Sequence, residues 1–141
     1  MKFLYFIFFL IFTTKTFSSN LEPLKIYLKK NTNYQDINRS IYILKRCVSL
    51  YNFIKNEKFE GYDKKISIRY EKTNNFFLSR LLEKTEKINE KNDNFNENIK
   101  KDILKISKVY QEDGLKNFSE RKSYFKKSYL FEDLKICSKI Q

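Results

Sequence analysis

An all-α fold, a small bundle of four to five helices with one long-range disulfide behind a signal peptide, is what this sequence predicts, and three observations predict it. Apolar residues recur at spacings of three and four along most of the chain. Turn residues interrupt that pattern at Asn31-Thr32-Asn33, around Gly61, at Asn92-Asp93-Asn94 and near Gly114. Strand-like alternation is confined to Ile66-Ser67-Ile68-Arg69-Tyr70, where the helical continuation through Phe77, Leu81 and Ile88 argues for helix instead.

The chain opens with Met1-Lys2 and the ten-residue apolar run Phe3 to Phe12, then turns polar. A membrane-spanning helix needs about 20 apolar residues, so the run reads as a signal peptide over residues 1–18 rather than a permanent anchor. Thr16 and Ser18 supply the small residues that place cleavage before Ser19. Removal takes away Lys2 and Lys15 and no acid, lowering the net charge from +12 to +10. The remaining residues, 19–141, read as a single helical domain, secreted or periplasmic.

Leu21, Leu24 and Leu28 suit a short first helix with Pro23 in its first turn, where a missing amide hydrogen does no harm. The stretch Tyr34 to Asn56 is the helix around which the rest is organised. One apolar seam runs through Ile37, Ile41, Leu44, Val48 and Tyr51, a second through Ile43, Cys47, Leu50 and Ile54. Two seams make a face wide enough to be gripped by neighbours on two sides, leaving Lys45, Ser49, Asn52 and Asn56 as the polar edge. Asn33, with Asp36 three residues on, is the expected cap. Gly61 ends this helix and Asp63 caps the next, which continues to about Lys91 with a charged, water-facing tail. Phe95, Ile99, Ile103, Ile106 and Tyr110 define a fourth helix that stops near Gly114. After a connector over Leu115 to Ser119, a last helix carries Phe125, Tyr129, Leu130, Leu134, Cys137 and Ile140.

Cys47 and Cys137 have no other cysteine to pair with, and export leads to oxidising compartments, so a disulfide between them is expected, the alternative being two buried thiols. The absence of histidine closes triads that use it as base, zinc and haem sites that use it as ligand, and pH sensing near neutrality. With two glycines, a phosphate-cradling loop is out of reach, and no cofactor or metal is expected. Carboxylate chemistry survives, with Glu83, Glu86 and Glu90, Glu112-Asp113 and Glu132-Asp133 as its candidates. The three glutamates sit among lysines as a solvated face would, and adjacent acids cannot both face one site from a regular helix.

The positive charge points toward anionic partners. Lysine outnumbers arginine 24 to 5 in a chain without alanine and rich in Lys, Asn, Ile and Phe, the mark of AT-biased coding, and this discounts the signal. The candidate anion-binding face is Lys101, Lys105 and Lys108 on one helix side together with Lys122, Lys126 and Lys127, with Tyr124 and Tyr129 interleaved. The expected function is a small exported protein with a non-catalytic binding or structural role and no identified partner. A basic module for anionic surfaces or polymers, such as membrane head groups or nucleic acid, is the alternative, and a carboxylate enzyme the third.

Overall fold

The computed structural model describes residues 21–57, 64–88 and 94–140, and all regular structure among them is helical. Helix α1 spans Leu24–Lys30, α2 Ile37–Asn56, α3 Lys64–Glu86, α4 Asn94–Arg121 and α5 Tyr129–Lys139. The expected signal peptide, Gly61 stop, Asp63 cap and Asn92-Asp93 turn, with Glu90, lie outside the described residues.

Helix α2 is the centre of the fold: α3, α4 and α5 each pack against it, and α1 packs on α5. Twelve of its twenty residues are buried, as two apolar seams require, against four of twenty-three in α3. Paired positions fix the directions. Rising numbers on α2 meet rising numbers on α4 (Lys45 with Asp102, Ser49 with Ile103, Asn52 with Ser107), so these two run parallel. Tyr51 meets both Tyr70 and Phe77 of α3, with ring centroids 5.8 and 5.6 Å away. Arg46 and Cys47 meet Asp133 and Cys137 of α5.

Several local expectations are corrected. Helix α2 starts at Ile37 because Asp36, not Asn33, caps it: its carboxylate accepts the Asn38 amide at 2.9 Å and brings a charge favourable at a helix start, while Asn33 accepts from the Gln35 amide in the turn before. Pro23 stands at the N-cap of α1, one place ahead of its first turn. The polar edge of α2 is in large part a helix interface. Ser49 is buried, its hydroxyl donates to the Ile103 carbonyl at 3.1 Å, and the Ser107 hydroxyl donates to the Ser49 carbonyl at 3.1 Å. Small hydroxyls let α2 and α4 approach closely while satisfying each other.

The largest correction concerns Gly114, which lies in mid-helix rather than at an end: α4 runs on through the expected connector to Arg121. A Cβ there would stand 2.7 Å from the Phe53 ring, so this glycine answers to packing and not to turn geometry. Helix α4 ends where Lys122 takes a left-handed backbone (φ 53°) and donates its amide to the Phe118 carbonyl at 2.8 Å. The true connector, residues 122–128, is shaped by Asn117, whose amide group donates to the carbonyls of Ser123 (2.6 Å) and Lys126 (3.1 Å). Ser128 then caps α5, accepting from the Leu130 amide at 3.1 Å, which leaves Phe125 outside the last helix.

Candidate functional site

Cys47 and Cys137 form a disulfide, Cα atoms 5.5 Å apart across 90 residues of sequence, and both are fully buried. Beside it lies the densest cluster of ionisable groups in the described residues. Arg46 of α2 and Asp133 of α5 form an ion pair with no solvent exposure on either side chain. Arg46 Nε donates to the Tyr110 hydroxyl at 2.8 Å, and Nη1 donates to the Glu22 carbonyl at 2.7 Å and the Tyr42 hydroxyl at 3.0 Å. The Tyr110 hydroxyl donates in turn to Asp133 at 2.7 Å, and the other carboxylate oxygen accepts the Leu24 amide, at the start of α1, at 2.8 Å. One guanidinium and one carboxylate thereby tie α1, α2, α4 and α5 together.

The electrostatics of this cluster are those of a fixed charge pair. Burial works against the Arg46 cation, but Tyr110 and Asp133 more than compensate, so its pKa rises above the ordinary value. Burial drives the Tyr110 phenol well up. Burial also raises Asp133, opposed by Arg46, the Tyr110 hydroxyl and the Leu24 amide. A buried ion pair is tolerated when surrounding hydrogen bonds satisfy its polar atoms, and here each guanidinium nitrogen and each carboxylate oxygen has a partner. It holds helices together, with Arg46, Tyr110 and Asp133 all buried.

Sequence reasoning passed over Arg46 and reduced Asp133 to half of an acid pair. Both carried a signal. Arg46 falls three residues after Ile43 and four before Leu50, inside the second apolar seam; Asp133 falls three after Leu130 and four before Cys137. A charge within an apolar stripe at both ends of an expected disulfide is the pattern of a buried pair.

The six candidate lysines are all exposed. Lys101, Lys105 and Lys108 lie along one side of α4, Lys108 within 3.9 Å of Glu112. Lys122 stands just past the far end of that helix, about 30 Å along its axis from Lys101 at 1.5 Å per residue, while Lys126 and Lys127 fold back beside it, the Lys126 carbonyl accepting from Asn117 and Lys127 sharing a hollow with Asp113 and Lys116. The interleaved aromatics pack against other rings. Tyr124 lies 4.7 Å from the Phe118 ring and 6.3 Å from Phe53, and Tyr129 lies 6.2 Å from Tyr110, so both rings are half-buried in aromatic contacts.

The carboxylates disperse. Glu83 pairs with Lys87 at 3.2 Å and has its pKa lowered by that contact; Glu112 is held beside Lys108 and Glu132 beside Lys135, while Asp113 accepts from Tyr129. Among the described residues no three Cys, Asp or Glu side chains come together as a metal site requires. No helix there is long and apolar enough to cross a membrane.

Concave surfaces lie elsewhere. Helices α3 and α5 flank α2 without packing closely on each other, and over the N-terminal half of α2 a cleft of about 540 Å³ opens between them. A smaller one of about 440 Å³ lies toward the other end, bounded by Tyr51, whose phenol burial pushes up to about 12. No protein-family model matches the chain, and neither curated proteins nor solved structures give a significant match.

Proposed function

We propose that this is an exported, non-catalytic protein that acts by binding, its scaffold locked for an oxidising compartment. The observation that carries this reading is the juxtaposition of a buried disulfide with a buried, hydrogen-bonded Arg46–Asp133–Tyr110 cluster: the gathered ionisable groups are spent on fastening helices, which leaves shape and surface charge as the means of action. The dispersal of the carboxylates into lysine pairs on solvated faces supports the same reading over a carboxylate enzyme. A broad basic module draws less support, because Lys101 and Lys122 stand about 30 Å apart along α4 and screening acts over about 8 to 10 Å at ordinary ionic strength.

Localisation and redox state test the proposal together. Protein recovered from the native host should lie outside the cytoplasm, begin within about two residues of Ser19, as signal peptidase selectivity allows, and yield the Cys47 and Cys137 peptides as one linked species under non-reducing conditions. Recovery from the cytoplasm with Met1 intact and both thiols alkylatable would overturn it.

A further inference from the structure

The larger cleft has a composition that names a class of ligand. Its floor and walls are apolar, built from Leu28, Ile43, Leu44, Phe76, Ile136 and Ile140 of four elements and the α5 terminus. Around them stand Arg39, Arg80, Lys84 and Lys139, and among the described residues no carboxylate lines the space. A volume near 540 Å³ falls within the roughly 300 to 1,000 Å³ of small-molecule sites, which combine an apolar lining with a few placed polar groups.

Arg39 is prepared for an anion. Its side chain is buried to 8% exposure, its Nε is committed to the Asn31 carbonyl at 2.6 Å, and its guanidinium lies 4.6 Å from the centre of the Tyr34 ring. These contacts fix the plane of the group and leave its Nη edge without a protein acceptor among the described residues. That edge is the fork that grips a carboxylate through two parallel hydrogen bonds. Lys84 and Lys139 likewise have no carboxylate within 4 Å among the described residues, and Arg80 reaches Glu83 only at 3.8 Å. Four cations thus surround an apolar hollow with little counter-charge from the described residues.

We infer that this cleft binds a single-chain fatty acid anion, its alkyl chain over Ile43, Leu44 and Phe76 and its carboxylate on Arg39 with Lys84 and Lys139 nearby. The apolar lining requires a tail, the rim requires a negative head, and the size of the cleft admits one chain rather than a bilayer patch. This inference rests on the binding role proposed above and supplies its ligand.

Calorimetric titration of the disulfide-linked protein with palmitate, below its micelle concentration, tests it. One-to-one binding is expected, weakened about tenfold or more for hexadecanol, which keeps the tail and lacks the charge. Arg39→Gln should weaken palmitate by a similar factor. Because Arg39 also holds the Asn31 carbonyl, the exposed Lys139→Gln is the companion variant, expected to weaken palmitate severalfold while leaving the thermal midpoint unchanged. Absence of palmitate binding, equal affinity for palmitate and hexadecanol, or binding to anionic phosphatidylglycerol vesicles with none to free palmitate would each overturn the ligand assignment. Protein that is exported and disulfide-linked yet ignores palmitate would leave the binding role standing and remove only the fatty acid.

Discussion

Helices α5 and α3 both pack on α2, but they are held there by different physics. Helix α5 has eleven residues and buries three, Leu130, Asp133 and Cys137, spaced one turn apart. One is covalently bonded to α2, one is paired with a buried guanidinium, and the third is apolar contact. Helix α3 has twenty-three residues and buries only Asn74, Phe77, Leu81 and Thr85. Its attachment is apolar and aromatic: the Asn74 side-chain oxygen has no hydrogen-bond partner among the described residues, Thr85 bonds to the Leu82 carbonyl of its own helix, and the ion pair to α2, Lys55 with Glu71 at 3.6 Å, is solvated and worth little. A short helix offers too little area to be retained by burial and is fastened at points. A long one can be retained by a thin apolar seam, and the space left between the two is the cleft.

The sharpest way to break the comparison is to unfasten α5. On the chain-entropy account, losing a cross-link that closes a loop of 90 residues costs roughly 4 to 5 kcal/mol, so Cys137→Ser should lower urea stability by up to that amount. Asp133→Asn leaves Arg46 buried without its counter-charge and should cost roughly 3 to 5 kcal/mol. Since the two fastenings join adjacent residues of α2 to one face of α5, the double variant should cost less than the sum. A combined loss equal to the sum within about 0.5 kcal/mol would mean they act independently and that α5 does not dock as one unit.

A smaller effect is expected on the other side. Leu81 is fully buried in the α3 seam, and Leu81→Ala should cost roughly 3 kcal/mol through lost transfer energy and the cavity left behind. The more telling readout is local. Amide exchange in α3 should proceed through an opening that leaves α2 and α5 protected, because neither the disulfide nor the buried ion pair ties it to α2. Equal protection in α3 and α5 would show that the thin seam holds as firmly as the fastenings.

How much of this was legible in the sequence follows from which forces leave a periodic trace. The double seam of α2 announced a central helix, and the pairing of Cys47 with Cys137 followed from there being no other partner. Gly114 misled because a glycine that ends a helix and a glycine that admits a neighbouring ring look alike until Phe53 is placed beside it. The polar edge of α2 misled because Ser49 reads as solvent-facing until Ser107 and the Ile103 carbonyl arrive from 54 or more residues away. The arginines held information that their small number concealed. In a chain where lysine is the default cation, an arginine is a departure from the default, and four of the five stand where a planar fork is useful. Arg46 holds the buried cluster together, and Arg39, Arg69 and Arg80 line the two clefts. The net charge drew attention to lysines on α4, whereas the rarer cation marked the concave surface.

The mildest perturbation tests the α2 to α4 contact, which sits between the two extremes of the comparison. Two opposed effects meet in Gly114→Ala. Alanine is favoured over glycine in a helix interior by about 1 kcal/mol, because glycine loses more backbone freedom on folding. Against that, the added methyl would stand 2.7 Å from the end of the Phe53 ring and 3.4 Å from Tyr124, and Phe53 is itself buried against the Tyr124 and Phe125 rings, so it has little room to turn aside. Overpacking of this kind typically costs about 1 to 3 kcal/mol. The net expectation is a loss of about 1 kcal/mol in urea denaturation, with Phe53→Leu in the same chain recovering the helix-propensity gain by removing the ring that the methyl meets. A stabilising Gly114→Ala on its own would show that Phe53 yields freely and that the α2 to α4 contact is looser than its hydroxyl hydrogen bonds imply.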